Sequence, residues 1–345
     1  MKIAFLNIYQ NNIERGGEVF VSELAKRLSK DNRVDIIDTK VSLDWSKKDS
    51  SLGFTRRIFV DYWSRKIFGF TFKSIPKIWK EKYDIVIPLN GGWQPALVRI
   101  VTWLYGGEMV ISGQSGIGWD DRNNLWCFPN AFVAPSSKAL SWAKKVMSIV
   151  KSFYIPNGVD LERFNSQGKK LITKLIKPVI LCVGALTEQK RIDLVIRAVA
   201  KLDNASLLVV GKGELEDNLC KLGQELLGER FELISAPYED MPQVYRCADM
   251  FTLVSKGSEA FGNVFVEAMA SGLPVVARDD EQRREIVGNA GLFVNPENAE
   301  EYAKALEKAL KTDWGDKPRI QAEKFSWDSI AEQYENLFKN LIQKK

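Results

Sequence analysis

The sequence predicts an α/β fold of two doubly wound domains, each a parallel sheet covered by helices on both faces. Two observations carry the prediction. Short apolar runs alternate with amphipathic helical segments along most of the chain, and the 345 residues are enough for two domains of roughly 150 residues each. In the first half the runs Ile3–Ile8, Val34–Ile37, Asp84–Pro88, Glu108–Ser112 and Ala131–Pro135 read as strands. The run Val19–Leu28 places Val19, Phe20, Leu24, Ala25 and Leu28 at helical spacing, and Ser136-Ser137 reads as a helix start. In the second half Val179–Val183, Ser206–Val210, Phe231–Ile234, Met250–Val254, Leu273–Ala277 and Gly291–Val294 read as strands, with helices over Ile192–Leu202 and Leu215–Leu227. Such alternation gives buried parallel sheets. The boundary is placed in Ile155–Asp160, where Pro156 and then Asn157-Gly158 mark a turn. The expected divisions are 1–160, 161–325 and a last helix, 326–345. Ligands of such Rossmann-like domains bind at the carboxyl ends of the strands. Two facing domains would make an interdomain cleft there, able to close over two substrates.

Composition narrows the chemistry. Hydrophobic residues make up 45% and charged residues 27%, an ordinary soluble balance. No stretch approaches the ~20 apolar residues of a membrane-spanning helix, and the first residues read as a strand rather than a leader. A cytoplasmic location is expected, free or peripheral on the cytosolic face of a membrane. The four cysteines are scattered, which fits a reducing compartment. The absence of histidine excludes imidazole zinc sites, Ser-His-Asp triads and histidine bases. Residues 1–160 hold 23 Lys+Arg against 15 Asp+Glu, and the remainder 26 against 29, so the first half is basic and the second slightly acidic.

The segment from Ser255 to Val276 carries the chemistry. Glu259 and Glu267 are set in an E-x7-E spacing. Phe261-Gly262-Asn263 lead into a helix that ends before Gly272 and Pro274, and Glu267 falls about one turn inside it. A helix start offers unpaired N–H groups and partial positive charge, which favour an anion. Gly262 removes side-chain bulk where a ligand would approach, and the two carboxylates suit hydroxyls of sugar and ribose. Lys190, after the first strand of the second half, is a candidate phosphate cation, and Arg191 could share that role or pair with Asp193. Gly16-Gly17 precedes the first helix, where backbone amides could approach phosphate. Gly211-Lys212-Gly213 is followed by Glu216 where a third glycine would complete a dinucleotide fingerprint, which counts against a dinucleotide-dependent oxidoreductase.

The string from Ser255 to Val276 resembles the donor-binding signature of the retaining glycosyltransferases of family 4. The resemblance covers the C-terminal half, through Pro156–Phe164, Val183–Asp193, Val210–Gly213 and Arg284–Val294, and extends more weakly to the rest. It implies a GT-B architecture and a nucleotide-diphosphate sugar as donor. It implies transfer to a glycan or lipid-linked acceptor with retained configuration, and no cofactor or metal. No D-x-D triplet is present. By the resemblance, Lys190 and Glu259 take the catalytic roles, with Gly16, Gly17, Lys190, Arg191, Glu259, Phe261, Gly262, Asn263 and Glu267 binding the donor. The last helix is expected to pack back on the first domain. The chain departs from the family twice. Ala185 stands where an arginine is usual, so a second cation is missing or supplied elsewhere. The usual histidine near Ser112–Asp121 is absent, so Ser112, Gln114 or Ser115 could substitute in sugar contact, and Asp120 and Asp121 are candidates for acceptor binding or general-base duty. These departures keep open a non-catalytic nucleotide-sugar-binding homologue or partner subunit. An epimerase or phosphorylase of the same architecture is the other rival, although no pyridoxal lysine is identifiable.

Residues 54–82 hold eight Lys/Arg, two acids and eight aromatics. Such interleaving suits an anionic membrane surface, or else a buried helix pair with a basic rim. No motif for nucleic-acid recognition supports a third option.

Overall fold

A computed structural model of the chain describes residues 1–10, 16–39, 58–257 and 259–343. The loop residues 11–15, the residues 54–57 of the basic-aromatic stretch and Ser258 of the E-x7-E string lie outside the described residues. The chain divides into two units, Met1–Asn157 with Trp327–Lys345, and Gly158–Ser326.

The first unit is built on a six-stranded parallel sheet of order β2-β1-β3-β4-β5-β6. Its strands are β1 (Lys2–Leu6), β2 (Arg33–Ile37), β3 (Ile85–Pro88), β4 (Glu108–Ser112), β5 (Ala131–Ala134) and β6 (Ser152–Tyr154). The described helices of this unit are α1 (Gly16–Leu28), α2 (Tyr62–Glu81), α3 (Gln94–Tyr105), α4 (Trp119–Trp126), α5 (Ser137–Val146) and α13 (Trp327–Ile342). The strand period of two sorts the core onto two faces. Ile3, Phe5, Ile85, Ile87, Val110, Ala131 and Val133 join one cluster with α1 and α13. Ala4, Leu6, Val86, Met109, Ile111, Phe132 and Ala134 join another beneath α2, α3 and α5. The stripe Trp327, Ile330, Ala331, Tyr334, Leu337, Phe338 and Leu341 of α13 is buried at helical spacing. It meets α1 where the Phe20 ring lies 5.9 Å from Trp327 and 5.8 Å from Tyr334.

The stretch from Tyr62 onward forms one 20-residue helix rather than a pair. Asp61 caps it by accepting from Ser64 N at 3.0 Å, and Lys82 ends it in a left-handed conformation. Its buried stripe is small and partly polar, Ser64, Ile67, Phe70, Thr71, Ser74 and Ile78. Phe68, Phe72 and Trp79 stay exposed.

The second unit has six parallel strands in the order β12-β11-β10-β7-β8-β9. They are β7 (Val179–Val183), β8 (Ser206–Val210), β9 (Phe231–Ile234), β10 (Met250–Leu253), β11 (Val275–Arg278) and β12 (Gly291–Val294). The α-helices are α6 (Ile192–Val199), α7 (Glu216–Leu227), α8 (Met241–Cys247), α9 (Asn263–Ala270), α10 (Glu281–Val287), α11 (Ala299–Lys311) and α12 (Lys317–Glu323). The chain winds β7-β8-β9 one way, then returns to the other side of β7 with β10-β11-β12. Strand order therefore reverses between β7 and β10, the place where ligands of such sheets bind. Gly211 is demanded by that edge of the sheet, because a Cβ on it would stand 1.9 Å from Gly184 O of the loop after β7.

Candidate functional site

The loops leaving β7 and β10 meet at the reversal point of the second sheet. Backbone joins them, with Lys256 N donating to Gln189 O at 2.8 Å. Lys190 lays its aliphatic stem beside Gly184 and brings Nζ to 2.5 Å from Glu259 Oε1. The other carboxylate oxygen, Oε2, accepts from Ser255 Oγ and, at 3.1 Å, from Arg283 Nη2. Arg283 Nη2 also donates to Ser255 Oγ at 2.9 Å. Burial alone would push the Glu259 carboxyl up, but Lys190, Ser255 and Arg283 more than reverse that and hold it below its ordinary value. Glu259 is a carboxylate held between two cations.

Gly262 caps α9 with φ +97°, a region that favours glycine, and a Cβ there would stand 2.8 Å from the Phe265 ring and 3.5 Å from Glu259 Cδ. Gly262 has no side chain with which to cap this helix start. The eight-residue α9 opens beside the Glu259 carboxyl group, and the partial positive charge of a helix start favours an anion. Phe261 is buried against Phe325, with ring centroids 5.7 Å apart, and can offer backbone only.

Glu267, one turn into α9, is buried in a separate network. It accepts from Tyr245 Oη at 2.8 Å and from Tyr238 Oη at 3.3 Å. Burial raises its pKa, opposed by the two tyrosine hydroxyls and by Arg163. Arg191 forms a bidentate pair with Glu297 at 3.0 and 3.1 Å, with Asp193 only 3.9 Å away as a secondary partner.

In the first unit the predicted residues are placed differently from expectation. Gly16 and Gly17 are not in a loop but in the first turn of α1. The adjoining Glu18 is folded inward, accepting from Asn7 Nδ2 at 3.2 Å. Ser112 ends β4 with its hydroxyl 3.0 Å from Tyr334 Oη, and it accepts from Gln114 Nε2 at 2.9 Å. Gln114 and Asn157 exchange reciprocal amide bonds of 2.9 Å. Ser115 is exposed. Asp120 and Asp121 are not loop charges, since both lie in the first turn of α4, where acids oppose the helix dipole. Asp120 lies beside Gly91 of the β3 loop. Asp121 is buried, with its pKa pushed up to about 8 by burial, and Asn124 Nδ2 donates to it at 3.2 Å.

Sequence reasoning missed Arg283, Ser255, Tyr238 and Tyr245. A charge in the apolar register of α10 was the available signal for Arg283, since Ile286 and Val287 are buried on the same helix. Nothing local marks the tyrosines. Among the described residues, no group of three or more Cys, Asp or Glu side chains could hold a metal ion, and no helix is long and apolar enough to cross a membrane.

A protein-family model described as Glycosyl transferases group 1 matches residues 164–326. An uncharacterized glycosyltransferase of Methanocaldococcus jannaschii is 35% identical over 176 residues, covering 47% of this chain and 44% of that protein. A GDP-mannose-dependent monoacylated α-(1-6)-phosphatidylinositol monomannoside mannosyltransferase of Corynebacterium glutamicum is 28% identical over 212 residues, covering 54% of this chain and 56% of the relative. The chain thus spans about half the length of the curated relatives it matches. The crystal structure of Anabaena HepE in complex with UDP and glucose superposes with a TM-score of 0.74 at 18% identity, covering 99% of this chain and 100% of that one. The fold is therefore the α/β, two-domain fold of GT-B proteins.

Proposed function

Because residues 164–326 are a glycosyl transferases group 1 domain, we propose that the chain moves a sugar from a nucleotide-diphosphate donor to a glycan or lipid-linked acceptor, with retention, as a family 4 enzyme. One observation carries the reading. A lysine–glutamate pair sits at the strand-order reversal of the second sheet, beside the start of α9. A leaving diphosphate gains negative charge as the glycosidic bond breaks, and a fixed cation with preorganised amides stabilises that charge. Lys190 is spent on Glu259 in this structure, so a diphosphate recruits it by turning it away from the carboxylate. Glu259 then accepts from sugar hydroxyls, and Glu267 has lone pairs left for ribose hydroxyls. In the retaining step the acceptor oxygen bonds to the anomeric carbon on the face from which phosphate departs. The carbon–phosphate-oxygen bond breaks, and the acceptor's proton passes to that phosphate oxygen. Neither cofactor nor metal enters this scheme, because Lys190 and the α9 amides meet the charge.

Binding of the acceptor falls to the first unit in this reading, with Gly16, Gly17, Ser115 and Asp120 as contacts toward donor phosphate or acceptor. A peripheral place on the cytosolic face of a membrane fits the exposed Phe68, Phe72 and Trp79 of α2 and Ile100, Trp103 and Leu104 of α3, set among exposed Lys66, Lys73, Lys77 and Lys80. The protein should then sediment with phosphatidylglycerol vesicles and not with phosphatidylcholine vesicles, and lose this in high salt.

A thermal-shift screen against nucleotide-diphosphate sugars tests the function, since a ligand of the folded state raises apparent stability by mass action. One donor class should raise the melting temperature and be consumed with acceptor present. Binding without consumption would leave a nucleotide-sugar-binding protein instead, and consumption without acceptor an epimerase or hydrolase. Glu267→Ala should weaken nucleoside-diphosphate binding by about tenfold, the worth of a charge-assisted hydrogen bond, as read by calorimetric titration.

A further inference from the structure

The carboxylate of Glu259 faces two cations, and the two differ in what they can do. Lys190 reaches in from a loop with its side chain 18% exposed, while Arg283 is fixed on α10 with its side chain 1% exposed. The flexible ammonium can turn to another anion, and the buried guanidinium cannot.

Around Arg283 the partners are few. Nη2 is shared between Ser255 Oγ and Glu259 Oε2. Nη1 lies 3.3 Å from Asp280 Oδ2 as an ion pair, yet neither Nη1 nor Nε makes a hydrogen bond. Asp280 caps α10 through Oδ1, which accepts from Arg283 N at 3.0 Å, while its Oδ2 faces Nη1 without a hydrogen bond. A guanidinium so poorly supplied depends on Glu259, and Glu259 depends on it once Lys190 departs, because a buried charge without a partner is costly.

We propose that Arg283 is a positioning residue for the donor sugar. It clamps the Glu259 carboxylate through Oε2, so that Oε1 is presented as an acceptor to a sugar hydroxyl when Lys190 turns to the diphosphate. The group recognised is a hydroxyl of the transferred sugar ring, at the oxygen Lys190 now occupies. Ser255 completes the clamp by donating to Oε2 while accepting from Arg283. The inference rests on the glycosyl-transfer reading above.

The test compares wild type, Arg283→Gln, Arg283→Lys, Glu259→Gln and the Glu259→Gln/Arg283→Gln double variant. UDP and GDP affinities are measured by calorimetric titration. Consumption of UDP-glucose, UDP-galactose, UDP-N-acetylglucosamine and GDP-mannose is measured at steady state. R283Q should lower kcat by about 10- to 100-fold, as for a lost charged hydrogen bond. Its nucleoside-diphosphate Kd should stay within about threefold of wild type, R283K should recover part of the rate, and the double variant should be no slower than E259Q beyond the ~2-fold error of such cycles. Equal losses in Kd and kcat, or losses that multiply in the double variant, overturn the proposal. Should R283Q fail to fold, R283K decides by the same split between Kd and kcat. Wild-type protein that binds neither UDP nor GDP and consumes none of the four sugars sinks the glycosyl-transfer reading itself, before any variant is compared.

Discussion

At the carboxyl edge of the first sheet the side chains that meet are mostly amides, whereas at the same edge of the second sheet they are ions. Asn7 Nδ2 donates to Gln10 Oε1 and Glu18 Oε1, both at 3.2 Å, and Asn7 Oδ1 accepts from Asn90 Nδ2 at 3.1 Å. Asn90 Oδ1 in turn accepts from Ile8 N at 3.0 Å and Gln94 Nε2 at 3.3 Å. These bonds join the loops after β1 and β3. In the second unit Lys190 and Arg283 face Glu259, and Arg283 also faces Asp280, so two cations meet two carboxylates, with guanidinium N–H groups that make no hydrogen bond. A network of amides fixes the shape of its loops. An ionic cluster with a mobile ammonium and guanidinium N–H groups that make no hydrogen bond can still turn to an anion that comes later.

The largest expected effect breaks the charged side. Lys190→Ala should lower sugar transfer by about 100-fold, the scale of one lost transition-state stabiliser, while nucleoside-diphosphate affinity drops less. Equal drops in transfer and affinity would make Lys190 a ground-state contact. Breaking the amide side should act on stability instead. Asn7→Ala removes buried hydrogen bonds to Glu18, Gln10 and Asn90 and should cost about 2 kcal/mol in urea unfolding, with nucleoside-diphosphate affinity unchanged. A change in that affinity would make the first network part of the ligand site.

The smallest effect sharpens the comparison through pH. Asp121 titrates near 8 in the folded protein, against 3.8 ordinarily, chiefly because of burial. Between those values the unfolded chain has released this proton and the folded chain holds it, so stability falls as pH rises through the window. Asp121→Asn should abolish that part of the slope, on the order of 1 kcal/mol per pH unit, in unfolding measured from pH 5 to 8. Identical slopes in the two proteins would show that Asp121 is ionised when folded. The asparagine should fold well, because it can donate where a carboxylate cannot, and Asn124 Oδ1 beside it is a buried acceptor without a hydrogen bond.

Strands and helices were legible because their signals are local. The core run Val179–Val183 is a buried strand as its apolar residues demand, and Phe231–Ile234 and Gly291–Val294 match their strands residue for residue. Errors fell at ends. Strand β1 stops at Leu6, where Asn7 turns its side chain to Gln10 and Glu18, and Gly16 and Gly17 already belong to α1. Asp120 and Asp121 read as loop residues because a Gly-rich stretch precedes them, yet acids in a first turn are a helix start.

By itself, the sequence determined the alternation of strand and helix and the string that sets Glu259 and Glu267 about a helix start. Each of these is written within one segment, as periodicity or as spacing. Only the tertiary structure decided which partners those acids have. Lys190 stands 69 residues from Glu259, Arg283 stands 24 away on another helix, and Tyr245 reaches Glu267 from 22 residues upstream. Such pairings depend on strand order, which brings β7 beside β10 although β8 and β9 intervene in the chain. Parallel strands are joined only through crossovers, so their neighbours are set by how the sheet is wound and leave no mark on the residues between.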